Sequence, residues 1–260
     1  MAYKLVIYEK EDGIATLTLN RPDRLNAFIP PMRVETRKCI EDAAADHEVR
    51  ALIVTGAGRA FCGGGDVTTH VDGRTDDEPA WAGSTLPLVE ALRSLNKPSI
   101  AAVNGMVAAT GAAFALACDI VIASDQAQFR VAYTRMGTAA TAGVPWMMTR
   151  AIGVARTLEL MYTNDVIDAK EMERIGLANR VVPHDELMKT AKEMAKRMMP
   201  MPPLTLASVK KVIYHTLGAH SLQDQVAFDE AVDRVAKNTE DHKEAMRSFL
   251  EKRDPVYKWR

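Results

Sequence analysis

The 260-residue chain carries 33 Lys plus Arg against 34 Asp plus Glu, and 47% of it is hydrophobic. That is enough to bury one large core, so a single domain with a terminal appendage is expected. A net charge of −1 provides no field that would recruit nucleic acid or an anionic membrane surface. Cys39, Cys62 and Cys118 are odd in number and lack metal-ligand spacing, and the six histidines are scattered, so reduced thiols and no metal are expected. The N-terminal MAYKLVIYEK has neither an apolar h-region nor an Arg-rich, acid-free amphipathic pattern. It predicts no targeting segment and a cytoplasmic protein.

Lys4 to Tyr8 and Ile14 to Leu19 are β-rich runs around Glu11-Asp12-Gly13, which predicts a hairpin. Residues 20–27 form a loop, and Pro30-Pro31 then opens a helix to about Asp46. Ala51 to Thr55 reads as a buried strand, and this alternation of elements argues for an α/β fold. Gly56 to Asp66, GAGRAFCGGGD, is the richest glycine cluster and lies just past that strand's end, where open α/β sheets bind ligands. It fits neither G-x-G-x-x-G nor the phosphate loop, and remains a turn whose backbone can approach a ligand closely. Residues 72–84 are charged and turn-rich, and a helix is expected over about Thr85 to Leu95.

Ile100 to Asp119 is the stretch around which the chain is organised. It reads as a buried strand, a turn at Asn104-Gly105, and a helix from Gly111 to Ala117 with no polar face. At 20 residues with an interruption, it is unsuited to spanning a membrane. The first N–H groups of that helix, at Thr110 and Gly111, lack intrahelical partners and can be offered to an anion. A packing helix that does no chemistry is the plainer reading of this stretch taken alone.

Asn20-Arg21-Pro22 with Asn26-Ala27, then Ala60-Phe61-Cys62-Gly63-Gly64-Gly65-Asp66, then Lys97-Pro98 through Asn104-Gly105 to Cys118-Asp119, resemble the crotonase, or enoyl-CoA hydratase/isomerase, superfamily. The likeness continues through Gly137-Thr138, Gly143, Thr149 to Gly153, Ile167-Asp168-Ala169 and Gly176 to Asn179, to the tail Phe249 to Pro255. It implies a spiral of ββα units with two roughly perpendicular sheets over residues 1–200. A C-terminal helical region, 201–260, would mediate trimers or dimers of trimers. The substrate would be an acyl-CoA thioester, with coenzyme A part of the substrate and no separate cofactor. Carried over by position, the N–H groups of Gly65 and Thr110 would form an oxyanion hole. Thr110 stands where the family usually has glycine or alanine. Arg24, Leu25 and Ala27, with the backbone of Phe61, Gly63 and Gly64, would hold the CoA moiety, and Asp66 would brace the glycine turn. A solvated loop charge is the plainer reading of Arg24.

The departures bear most on chemistry. The two glutamate positions of the family's hydratases are Ala113 and Tyr133 here, and the acidic position of its isomerases is Thr141. Tyr133 is the first candidate proton donor, with an aromatic wall of the acyl pocket as the alternative. His70, followed by Asp72, comes next, with surface charge as the alternative. An enzyme with atypical acid/base groups, a non-catalytic acyl-CoA-binding protein and a supporting subunit of a mixed oligomer are the three readings this leaves. Beyond Asp168, a cap with Glu171, a helix end at Gly176 and helices over about 203–217, 221–237 and 240–252 are expected, with Tyr257 and Trp259 as interface aromatics. The basic tail of Lys252, Arg253, Lys258 and Arg260 reads as solvated or as a neighbour of the CoA phosphates.

Overall fold

A computed structural model describes residues 3–68 and 79–260. It opens with a hairpin of β1 (Val6–Glu11) and β2 (Ile14–Leu19), in which Glu11 pairs with Ile14. Asp12 and Gly13 both have positive φ, 51° and 74°, as a two-residue turn matched to strand twist requires. The turn chemistry therefore sets the register, and β1 starts two residues later than the apolar run Lys4 to Tyr8 suggests.

After helix α1 (Pro30–Ala45), the chain repeats one move three times. Strand β3 (Ala51–Gly56) is followed by β4 (Ala60–Cys62), β5 (Ser99–Val103) by β6 (Met106–Ala108), and β7 (Ile120–Ser124) by β8 (Gln128–Arg130). The first member of each pair joins a six-stranded sheet ordered β1-β2-β3-β5-β7-β10, with β10 spanning Arg180–Val182. The second joins a four-stranded sheet ordered β4-β6-β8-β9, with β9 at Ile167–Asp168. Within each sheet the repeated strands run parallel. The Asn104-Gly105 turn thus leads into β6 rather than directly into the buried helix, because three residues are too few to show a periodicity in sequence.

Every residue of β3 and β5 is buried, the pattern of strands covered on both faces. One face meets helix α1, helix α2 (Leu86–Ser94) and helix α3 (Thr110–Leu116) around Leu17, Met32, Leu52, Val54, Leu88 and Phe114. The other face, with Ile53, Ile100 and Ile122, is closed by Leu187, Ala191 and Ala195 of helix α6 (Leu187–Met198). Helix α4 (Val144–Thr163) has a non-helical Gly153 inside it, and helix α5 (Ala169–Ile175) is capped by the Asp168 carboxylate, which accepts from Glu171 N–H, and ends on left-handed Gly176.

Helix α7 (Pro203–His215) is tied to the core by Lys210, whose ammonium lies 2.9 Å from Asp119 Oδ2, and by Tyr214, whose hydroxyl donates to Asp119 Oδ1 at 2.7 Å. Helix α8 (Leu222–Lys237) and helix α9 (Glu240–Glu251) leave Leu222, Val235, Phe249 and Leu250 exposed. The tail folds back on its own chain. Asp241 accepts from the N–H groups of Lys258 and Trp259, and the Trp259 ring lies 5.0 Å from Lys97 Nζ and 5.5 Å from the Arg50 guanidinium. Arg253 is paired with Glu244 and Glu251, and Arg260 with Glu240. Among the described residues no helix is long and apolar enough to cross a membrane.

Lys97 is 2% exposed, and its ammonium donates to the Ala43 carbonyl at 2.6 Å and the Asp46 carbonyl at 2.5 Å, closing the C-terminal end of α1. Burial pulls its pKa from an ordinary 10.5 down to about 8. Below about pH 8 both folded and unfolded chains carry the proton, and the desolvation penalty is fully present. Between about 8 and 10.5 the folded chain releases the proton first, so the penalty is relieved as pH rises. Urea unfolding of the wild type and Lys97→Met at about pH 7 and about pH 9.5 should show the difference moving in favour of the wild type at the higher pH. A pH-independent difference would mean that Lys97 titrates normally.

Candidate active site at the ends of the short sheet

Strands β4, β6 and β8 lie side by side in one direction, with Cys62 opposite Val107 and Ala108 opposite Arg130. Gly65 stands three residues past the end of β4, Thr110 two past β6, and Tyr133 three past β8. The three residues singled out from sequence thus leave the carboxyl ends of three neighbouring parallel strands, where α/β folds place ligands.

The glycine turn is built against the loop at residues 25–28. Gly63 N–H donates to the Leu25 carbonyl (2.8 Å), Phe28 N–H to the Gly64 carbonyl (2.7 Å), and Asp66 N–H to the Phe28 carbonyl (3.0 Å). Phe28 and Gly65 therefore form a parallel bridge in which residues 64 and 66, not 65, bond to Phe28. In that geometry the N–H and C=O of Gly65 point away from Phe28. Gly64 adopts φ +104°, and a Cβ there would stand 2.9 Å from Ala109 Cβ and 3.6 Å from Thr110 N. The two segments are thus in van der Waals contact. Ala109 has φ 46° and ψ −122°, a conformation rare for a residue with a side chain, and it turns the chain from β6 into α3. Neither the Gly65 nor the Thr110 N–H donates to a protein acceptor among the described residues. Thr110 Oγ1 is buried and likewise without a hydrogen-bond partner among them.

Asp66 braces this turn. Its Oδ2 lies 3.0 Å from Arg21 Nη2, and its Oδ1 accepts from Thr68 N–H and Thr68 Oγ1 at 3.1 and 2.7 Å. The Thr68 hydroxyl, with Arg21 behind it, holds the carboxyl below its usual pKa, so it stays ionised and engaged. Leu25 and Asn26 both have positive φ, 50° and 54°, and Arg24 is exposed at the end of a short 3-10 turn. Phe61 is fully buried, backbone included, with its ring 6.4 Å from that of Phe114. Ala27 lies between these segments and its carbonyl accepts from Arg21 Nη1 at 2.5 Å.

Tyr133 is 7% exposed, and its hydroxyl lies 3.5 Å from the Thr141 carbonyl. Burial raises its pKa above the ordinary value of 10.0, so the phenol keeps its proton at neutral pH. Ala113 is fully buried in α3. His70 and Asp72 lie outside the described residues. Sequence reasoning passed over Arg33, an arginine on the buried side of α1. It is 7% exposed, donates from Nη1 to the Ala82 carbonyl (2.9 Å) and from Nε to Thr85 Oγ1 (3.3 Å), and burial lowers its pKa. The one sequence signal was its place between Met32 and Thr36, both of which are also buried. Among the described residues no cluster of His, Cys, Asp and Glu is arranged to hold a metal ion. A surface cleft of 570 Å³ lined by Arg130, Thr134, Tyr162 and Asn164 contains none of the residues that the motifs pick out.

Comparison with known proteins places the chain in a family. The family model described as enoyl-CoA hydratase/isomerase matches residues 9–260. The chain belongs to that family. It is 33% identical to the 1,2-epoxyphenylacetyl-CoA isomerase of Escherichia coli (strain K12) over 258 residues, covering 98% of each chain. It is 34% identical to a probable enoyl-CoA hydratase of Rhodobacter capsulatus over 257 residues, covering 99% of each. Among solved structures, the enoyl-CoA hydratase from Bacillus anthracis superposes with a TM-score of 0.91 at 28% identity, over 99% of this chain and 100% of that one. A monofunctional enoyl CoA isomerase from M. smegmatis gives 0.75 at 36% identity, over 86% and 99%.

The surroundings of the glycines separate site from scaffold. Gly64→Ala places a Cβ against Ala109 at positive φ and should destabilise the protein by about 1–3 kcal/mol. Among the described residues beyond its chain neighbours, a Cβ at Gly65 meets one atom, Arg33 Nη2 at 3.7 Å, so Gly65→Ala should change stability by less than about 1 kcal/mol while narrowing the space between the glycine turn and Arg33. Urea unfolding of both variants checks this, and a Gly65→Ala protein as unstable as Gly64→Ala would contradict the site geometry.

Proposed function

We propose that the protein is an acyl-CoA-processing enzyme in which the N–H groups of Gly65 and Thr110 together polarise the thioester carbonyl and stabilise the enolate oxyanion. The observation that carries this reading is that both donors leave adjacent parallel strands, in segments that touch, without a protein acceptor among the described residues. Donors fixed by the fold need no reorganisation when charge develops on the oxygen, and removing one such donor typically costs about 2.7–4 kcal/mol of transition-state stabilisation. CoA is held in this reading by Arg24, Leu25 and Ala27 with the backbone at residues 61–64. The protein acts without a separate cofactor.

Enolate chemistry suits these residues better than hydration. Hydration by paired carboxylates needs one to deliver water and one to protonate carbon, and Ala113 and Tyr133 supply neither. A buried phenol that keeps its proton is a poor base and a competent donor, so Tyr133 is assigned to proton delivery onto the enolate. The relatives include both isomerases and hydratases, and in a double-bond shift by way of an enolate His70 would take the proton from one carbon while Tyr133 delivers a proton to the other. His70 stays the second proton-transfer candidate. Residues 201–260 are assigned to subunit contacts within a homotrimer or dimer of trimers, since α7, α8 and α9 expose Val209, Ile213, Val235, Phe249 and Leu250.

Turnover of short 2-enoyl- and 3-enoyl-CoAs by purified protein tests the assignment. Double-bond migration should exceed hydration, and Tyr133→Phe should lower kcat by about 10²- to 10⁴-fold with little change in KM. Efficient hydration left intact in Tyr133→Phe would show that the proton-transfer groups lie elsewhere. A change confined to KM would make the ring a wall of the acyl pocket.

A further inference from the structure

A guanidinium taken out of water is costly unless its charge is met, and hydrogen bonds to neutral oxygens meet it only in part. Arg33 is 7% exposed, and its two acceptors, the Ala82 carbonyl and Thr85 Oγ1, are both neutral. Among the described residues no carboxylate lies within ion-pairing distance of it, and Nη2 donates to nothing. Among the described residues, chain neighbours aside, this Nη2 is the one atom within 4 Å of where a Cβ on Gly65 would stand, at 3.7 Å. The side of Gly65 on which a side chain would project is therefore bordered by an unspent cationic N–H. Thr110 Oγ1, in the segment that packs on Gly64, is a second buried polar atom with no partner among the described residues. A pocket built for a plain hydrocarbon chain gains nothing from an unpaired guanidinium N–H, and desolvating it would cost affinity.

We infer that Arg33 receives a carboxylate carried by the acyl group, so that the substrates are CoA thioesters of short dicarboxylic acids. This rests on the acyl-CoA reading above and deepens it. The guanidinium presents its remaining N–H to the carboxylate, which supplies the negative charge that no described residue provides. A planar donor held at two points by Ala82 and Thr85 loses little freedom on binding. Arg33 thereby sets the orientation of the acyl chain relative to Gly65.

Isothermal titration of the full-length protein with succinyl-CoA and butyryl-CoA, which have acyl chains of equal length, tests the inference. The wild type should bind succinyl-CoA at least about tenfold more tightly, the scale of one charge-assisted hydrogen bond. Arg33→Met should abolish or invert that preference, and Arg33→Lys, which keeps the charge and guards against a folding defect in the first variant, should retain part of it. Circular dichroism and thermal unfolding establish that each variant is folded. Equal affinities in the wild type, or a preference that survives Arg33→Met, would overturn the inference while leaving the acyl-CoA reading intact. Binding of neither thioester would remove both.

Discussion

The Ala60 carbonyl accepts from Asn26 Nδ2 at 2.7 Å and from Asn104 Nδ2 at 3.2 Å, and on this shared acceptor the placement of both proposed donors depends. Asn26 also accepts from Arg21 N–H and donates to the Ala57 carbonyl, while Asn104 accepts from Gly56 N–H and donates to the Gly58 carbonyl. Two buried amides thus bind the β3–β4 turn to the 20–27 loop on one side and to the β5–β6 turn on the other. Each bond is worth about 1 kcal/mol net, yet leaving such buried groups unpaired costs about 1–3 kcal/mol apiece, so the arrangement resists partial loosening. Glycine is required where the segments meet. A Cβ on Gly56 would lie 2.2 Å from the Ala60 carbonyl, and one on Gly105 2.1 Å from that of Arg59.

From this junction the chemistry follows by strand direction. Parallel strands β4 and β6 leave the junction together, so the segments that follow them emerge at one edge, with Gly64 pressed against Ala109. The strained backbone at Ala109 is stored conformational energy at the point where the chain must turn without filling the space in front of Thr110 N–H. Asp66 and Arg21 hold the far side of the turn. Catalytic power in this scheme comes from placement of backbone dipoles, and the side chains are left free to specify which acyl group enters and where a proton goes.

Much of this was legible in the sequence because it is written in local chemistry. Asp12-Gly13 fixed the hairpin, Pro30-Pro31 opened α1, and Asp168 and Gly176 bounded α5 with the cap and end they predict. The motif order at Asn26-Ala27, Gly63 to Asp66 and Asn104-Gly105 marked the loops that come together. Strands β4, β6 and β8, three residues each, were not legible, since so short a run has no period to read. Arg33 was missed for a different reason. An arginine one position from buried Met32 looks like the polar edge of an amphipathic helix, and only tertiary packing reveals that it is enclosed. Trp259, expected at a subunit interface, lies over Lys97 and Arg50 of its own chain, a contact between residues too distant in sequence for any pattern to link.

The central claim is that two backbone N–H groups polarise a bound thioester carbonyl, and infrared difference spectroscopy on an acyl-CoA carrying ¹³C at that carbonyl measures this directly. Binding should move the carbonyl stretch to lower frequency than in free solution, and Gly65→Ala should remove most of the shift in whatever fraction of ligand still binds. A bound thioester whose carbonyl frequency equals that of the free ligand would contradict the account.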